Sequence, residues 1–230
     1  MLSKTSMRYF AVTLSLWMTL SCAAAQETDD VVRDTAFLAA TTLDRQMREL
    51  DNRRVPTNLR AGAKCIAVFP SVVKAGLIIA AKHGNGLISC RHPDNGTWGT
   101  PAVFSVTAAS VGIQAGLQNA SYIMLFMTDA AVEELLEASV AFGSEFSIVA
   151  GPVGAAASYA DMPSVISYVR TLGLFAGVDL QGAKVSFATS ANASLYGSDA
   201  TAPGILFGDS KLPLALEPFH SAIKEFAPEL

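Results

Sequence analysis

His83, His92 and His220, with the carboxylates Glu133, Glu134 and Glu137, are the side chains whose chemistry could serve acid–base catalysis or metal binding. Their spacing serves neither. The histidines are far apart along the chain, two flanking a turn-rich stretch and one in a C-terminal helical segment, which reads as surface imidazoles rather than a ligand set. The glutamates recur at one-turn spacing on one predicted helix, the pattern of a solvated face. No G-x-S-x-G elbow, H-E-x-x-H pair, G-x-x-x-x-G-K-[ST] loop or G-x-G-x-x-G turn follows residue 25. The expectation is a protein that is not an enzyme and uses no cofactor or metal.

Charge is the next chemistry to place. From Arg45 to His92 the chain carries Arg45, Arg48, Arg53, Arg54, Arg60, Lys64, Lys74, Lys82 and Arg91 against Glu49 and Asp51 alone. Residues 93–230 carry 13 acidic and four basic residues. That asymmetry predicts one basic face, with charges spread over a solvated surface as the alternative. After residue 25 the balance is 14 basic against 20 acidic, net −6, which excludes a general nucleic-acid binder.

The elements that must position these charges are short. Val31, Val32, Phe37, Leu38, Leu43, Met47 and Leu50 fall among charged residues over 28–50 and predict an amphipathic helix capped by Asp29 or Asp30. Pro56 and Thr57 open a second short helix. Apolar runs between turn residues then predict strands at 65–69, 76–82, 86–91, 102–107, 121–127, 146–150, 174–180 and 183–189. Asn95-Gly96 and Asn85-Gly86 are hairpin signals. Asp129 is placed to cap one further helix and Pro218 to open another. Glycines inside the apolar runs point to a curved, tightly packed sheet. The fold class is α+β, a curled, barrel-like antiparallel sheet with an N-terminal amphipathic helix and two or more further helices.

Residues 1–25 stand apart. Lys4 and Arg8 precede the apolar run Phe10 to Leu20 and the small residues Ser21 to Ala25, the layout of a secretory signal peptide. Cleavage before Gln26 is favoured over a lipoprotein box ending at Cys22, which lacks the usual aliphatic residue three positions earlier. The organisation expected is a signal peptide at 1–25, an amphipathic segment at 26–55 and one domain at 56–230 packed with it. Export leaves Cys65 and Cys90, either bonded or as two buried thiols.

Several ordered motifs resemble those of the SYLF domain family. "DNGTWGTPAVF", with Trp98 and Pro101, is similar to its G-x-W-S-x-P; "VGIQAGLQ", with Gly112, Gln114 and Gly116, to its G-x-Q-x-G. "FGSEFSIVAGPVG" holds Gly151, Pro152 and Gly154 of a G-P-V-G, and "SYVRTLGLFAGVDLQG" holds Tyr168, Gly173, Phe175 and Gly177. Gly99 and Glu145 depart from the family's serine and aspartate, and Ala155 stands where an arginine often follows. The resemblance implies an α+β fold and a lipid-binding module. Eukaryotic members bind phosphoinositide membranes and, in yeast, actin; exported bacterial members look like envelope lipid binders.

The function expected is therefore a non-enzymatic phospholipid-binding module of the bacterial envelope, periplasmic or held to the outer membrane through a lipidated Cys22. Its partner would be an anionic phospholipid surface, met by the nine basic residues of 45–91 and by Arg170. Actin is not expected, and a homo-oligomer is open. Arg170 lies in a glycine-rich apolar setting with no nucleophile or base beside it; the preferred role is an ion pair with Glu145, the other a phosphate contact. An oligomerising envelope protein is the alternative function, and an unrecognised hydrolase ranks behind it.

Overall fold

The computed structural model describes residues 29–50, 54–76, 79–111, 116–137, 139–141, 148–150, 163–172 and 183–228. Helix α1 covers 29–47. It is followed by α2 (Thr57–Gly62), then β1 (Cys65–Gly76), β2 (Ile79–Cys90), β3 (Ala102–Val111) and β4 (Gly116–Phe126). Next come α3 (Asp129–Leu136), β5 (Ser139–Ala141), β6 (Ile148–Ala150), β7 (Val165–Leu172) and β8 (Lys184–Phe187). The chain finishes with α4 (Thr189–Tyr196), α5 (Ala202–Leu206), a 3-10 turn and α6 (Glu217–Phe226). The predicted strand at 174–180, Arg53 and Glu145 lie outside the described residues, as do Gly112, Gln114, Gly151, Pro152, Gly154, Gly173, Phe175 and Gly177.

The strands form one sheet in the order β5-β8-β3-β2-β1-β4-β7-β6, antiparallel except for β6 against β7. Among the described residues the outer strands β5 and β6 do not pair, so the sheet is curled and open rather than closed. Its central strands read as almost continuous apolar runs because both faces are buried. Cys65, Ala67 and Phe69 of β1 join Tyr122, Met124 and Phe126 of β4 in a core with α3 and α5. Ile66, Val68, Ile123 and Leu125 face the other way, against α1, α2 and α6.

β1 continues past its first apolar run to Gly76, and its pairing shifts register around Pro70 and Ser71. Proline cannot donate to a ladder, so a central strand accommodates it at a bulge. The bulge explains a correction. Asn85-Gly86 is not a hairpin: β2 runs unbroken through both residues, paired with β3 from Ile79 to Ile88. A Cβ on Gly84 would sit 2.5 Å from the Ser71 carbonyl oxygen, and one on Gly86 would strike the Phe69 ring and the Val68 carbonyl. Glycine is needed here for the close approach of β1, not for a turn. Asn95-Gly96 does turn the chain. His92 N–H donates to Thr97 O, Gly96 N–H donates to His92 O, and Gly96 takes φ +70°.

Two helix starts follow from side-chain chemistry. Thr128, not Asp129, caps α3, its hydroxyl accepting from Ala131 N–H, while Asp129 supplies negative charge in the first turn. Pro218 opens α6, which buries Phe219, Ile223 and Phe226 one turn apart. At the other end of β1, Cys65 and Cys90 are directly opposed across strands and joined in a disulfide. Replacing both with alanine should lower stability by about 2 kcal/mol, low in the disulfide range because the intervening strands already hold their register. The check is urea unfolding, and an unchanged midpoint would show the bond to be idle.

Candidate functional site

The structure does not gather the eight described basic residues of 45–91 on one face. Arg60, Lys82 and Arg91 are each 8% exposed, too deep to meet a headgroup at the surface. Lys82 and Lys74 are opposed in register across β2 and β1, on the inner side that also carries Gly84. Lys64 pairs with Asp129 at 2.7 Å, and Arg48 pairs with Asp44 one turn earlier on α1. Arg54 donates to the Glu49 carbonyl. Arg45 stands exposed on α1.

Arg91 and Arg60 are latches for the C-terminal helix. The Arg91 guanidinium donates to the carbonyls of Ala63, Gly96, Ala227 and Pro228 while lying 4.3 Å over the Trp98 ring. The Trp98 indole donates to Ala227 O at 2.7 Å. Arg60 donates to Phe226 O and to Thr57 Oγ1, and packs over the Phe226 ring. Burial, with Arg54 nearby, lowers its pKa from the ordinary arginine value. The last carbonyls of a helix lack intrahelical donors, and these two arginines supply them. Trp98, set apart in the sequence as a motif residue, is thus a structural anchor. Pro101 likewise contributes its carbonyl, which accepts from the Tyr196 hydroxyl. Asn192, which the sequence did not single out, is fully buried and pairs with both the N–H and the C=O of Val103.

Helix α1 packs on the sheet with small residues. Val32, Ala36, Ala39 and Leu43 make the buried stripe, one turn or one heptad apart. The larger apolar residues turn outward: Phe37 is 63% exposed, Val31 49% and Leu38 48%. Along the same helix Asp29, Asp30 and Asp34 stand at the start and Arg45 and Arg48 at the end, which complements the helix dipole. The hydroxyls of Thr35, Thr41 and Thr42 donate to the carbonyls of Val31, Phe37 and Leu38, so they present few unsatisfied groups.

Arg170 does form an ion pair, but with Glu49, at 2.9 Å. It stands on β7 directly opposite Ser121 of β4, and the next rung on the same face is Tyr168 opposite Ile123. Between these rungs and α1 runs a cleft of about 120 Å³ lined in part by Thr42, Arg45, Asn119, Ser121 and Arg170. A recess of about 30 Å³ adjoins it and reaches Gln46 and Tyr168. Tyr168 is 7% exposed, and its hydroxyl has no hydrogen-bond partner. Burial raises its pKa to about 12, so the phenol keeps its proton.

A larger cavity of about 560 Å³ opens at the far end of β1, lined by Lys64, His92, Asp129, Val132, Glu133 and Phe207 among others. Its Lys64–Asp129 pair is internally neutral, and His92 meets the Phe207 ring edge-on at 6.4 Å. The histidines do not converge: His83 is on β2, His92 in the hairpin and His220 on α6. Among the described residues no three His, Cys, Asp or Glu side chains are placed to hold a metal ion. No described helix is long and apolar enough to cross a membrane.

These features define an α+β domain built on one curled sheet with helices on both faces, in which buried arginines serve as internal latches. The chain belongs to the Ysc84 family, whose model, described as "Las17-binding protein actin regulator", matches residues 107–226. It is 34% identical over 176 residues to an SH3 domain-containing protein of Schizosaccharomyces pombe, covering 74% of this chain and 40% of that protein. It is 30% identical over 180 residues to LAS seventeen-binding protein 3 of Saccharomyces cerevisiae, covering 75% and 39%. With SH3 domain-containing YSC84-like protein 1 of Rattus norvegicus the identity is 29% over 192 residues, covering 79% and 56%. The chain therefore spans about half the length, or less, of these relatives, two of which are named for an SH3 domain and one as a binding protein. No solved structure matches it.

Proposed function

We propose that the protein is a lipid-binding module of the bacterial envelope, exported by its N-terminal segment, that docks on anionic phospholipid without catalysing a reaction. The observation that carries this reading is the outward apolar row of α1. Val31 and Leu38 are two turns apart on one line of the helix with Phe37 beside them, and all three face away from the core. An amphipathic helix lying in a membrane interface needs such a row, with basic residues near it. Arg45, together with Arg48 and Arg170, places that charge at one end of the helix. Each basic side chain near an anionic surface adds on the order of 1 kcal/mol. Actin regulation, named for the family's model, is not assigned to an exported protein.

Replacing Phe37 and Leu38 together with aspartate should weaken flotation with phosphatidylglycerol vesicles by about a hundredfold, given about 1.5–3 kcal/mol for each buried side chain. The thermal transition should stay unchanged, because both side chains are exposed. Undiminished flotation would overturn the reading. A concentration-dependent particle size without lipid, lost in the same variant, would assign the row to self-association instead.

A further inference from the structure

The cleft beneath α1 has a feature that the docking surface does not use. A buried phenol with no partner is rare, since polar groups removed from water are nearly always hydrogen-bonded. Tyr168 has that hydroxyl, and it lines the recess together with Arg45, Gln46, Ser121 and Arg170. The two guanidinium groups come from different elements, Arg45 from α1 and Arg170 from β7, and flank the same recess. Among the described residues Glu49 accepts from one Arg170 nitrogen, Nη1. A guanidinium has five N–H donors in a planar fork, so a second acceptor can share Arg170 with Glu49.

We propose that this cleft binds a phosphate monoester, its oxygens held by Arg45 and Arg170 and by the hydroxyl of Tyr168. Forked donation to phosphate is what arginine does best, and a protonated phenol adds a neutral donor without adding charge. The recess of about 30 Å³ exceeds the roughly 10–15 Å³ that a single water needs, so it admits one phosphate oxygen at the Tyr168 hydroxyl, and the outer cleft of about 120 Å³ holds the rest of the group and its ester substituent. Thr41 and Thr42 on its α1 side donate to the helix backbone, and Asn119 accepts from Ser71 on the sheet side. The walls are fixed by their own bonds, while Tyr168 has none. A lipid headgroup and a soluble metabolite can both present a phosphate monoester, so the ligand is defined by that group.

The test is calorimetric titration of the purified protein with inorganic phosphate and with glycerol 3-phosphate. It is run beside flotation with phosphatidylcholine vesicles with and without phosphatidic acid. Saturable binding is expected, weakened about tenfold or more by Tyr168→Phe and by Arg170→Gln, and unaffected by Lys211→Gln on a remote surface. Tyr168→Phe is the decisive variant, because removing a hydroxyl that bonds to nothing in the empty fold leaves the fold intact. Tighter binding of glycerol 3-phosphate than of vesicles would assign a soluble ligand, and phosphatidic-acid-dependent flotation lost with Tyr168→Phe would assign a headgroup; either supports the site. Phe37→Asp alone, at a residue that lines neither the cleft nor the recess, should weaken flotation yet bind glycerol 3-phosphate normally, so failure of the docking row and failure of the cleft are separable. No saturable binding, or equal binding by wild type and both cleft variants, would leave only an ordered water in the recess and overturn the proposal.

Discussion

Arg91→Ala is expected to lower the free energy of unfolding by about 4 kcal/mol, the largest effect of any single substitution considered for this chain. The side chain is buried and donates to four carbonyls belonging to three separate segments: residue 63 before β1, residue 96 in the hairpin, and residues 227 and 228 after α6. Removing it leaves those oxygens in a site water reaches poorly and strips the cation from the Trp98 face. Arg91→Lys should recover only a minor part, because an ammonium cannot span the directions the planar fork covers. Urea unfolding provides the measurement. If Arg91→Ala lost less than about 1 kcal/mol, the guanidinium would have to be solvated and replaceable.

Gly86→Val is expected to cost about 3 kcal/mol, through overpacking rather than through lost contacts. Any Cβ at that position meets the Phe69 ring and the Val68 carbonyl. Phe69 is itself fully buried between β1 and the core, so the ring has nowhere to rotate. An Asn-Gly hairpin turn at 85–86 would also disfavour valine, but through a positive φ at the glycine, which Gly86 does not have; here the cost is the clash alone. A thermal transition within a degree or two of wild type would count against the uninterrupted β2.

The contrast between those two positions and the rest of the sheet shows what a linear reading can reach. Strands at 65–69, 102–107 and 183–189 were legible because alternate residues face two different buried layers, which writes an apolar run into the chain. The helix over 29–47 was also legible as an element, but its orientation was not. Hydropathy favours Phe37 and Leu38 as the inner row, whereas close packing on a sheet favours Ala36 and Ala39. Asn85-Gly86 misled for a related reason. The local signal for a turn and the long-range requirement for a missing Cβ both select glycine, and only the bulge at Pro70 and Ser71 decides between them.

The site was less legible than the fold. Lysines and arginines read as surface charge until their partners are known, and the partners of Arg91 lie up to 137 residues away. The apolar sequence neighbours of Arg170 predict that it pairs with a carboxylate; it does pair, but as a side chain that is 57% exposed and with Glu49, 121 residues earlier, neither of which the sequence shows. The family, by contrast, was readable from several short motifs in order. Trp98 and Pro101 shape the hairpin and its junction with α4, while Tyr168 lines the cleft, so these motif residues have structural roles that their spacing in the chain does not reveal.

The arginine latch also sets an order on synthesis. Arg60, Arg91 and Trp98 are made 129 to 166 residues before the carbonyls they hold at Phe226, Ala227 and Pro228. Loop closure over that span opposes the contact until α6 is made, and α6 cannot cover its part of the core before then. A nascent chain thus lacks part of one of the two layers that bury the sheet, the part that α1 and α2 do not supply. Such a chain keeps the apolar surface that α6 covers open to solvent until residues 217–228 are made, and the same bonds then close it.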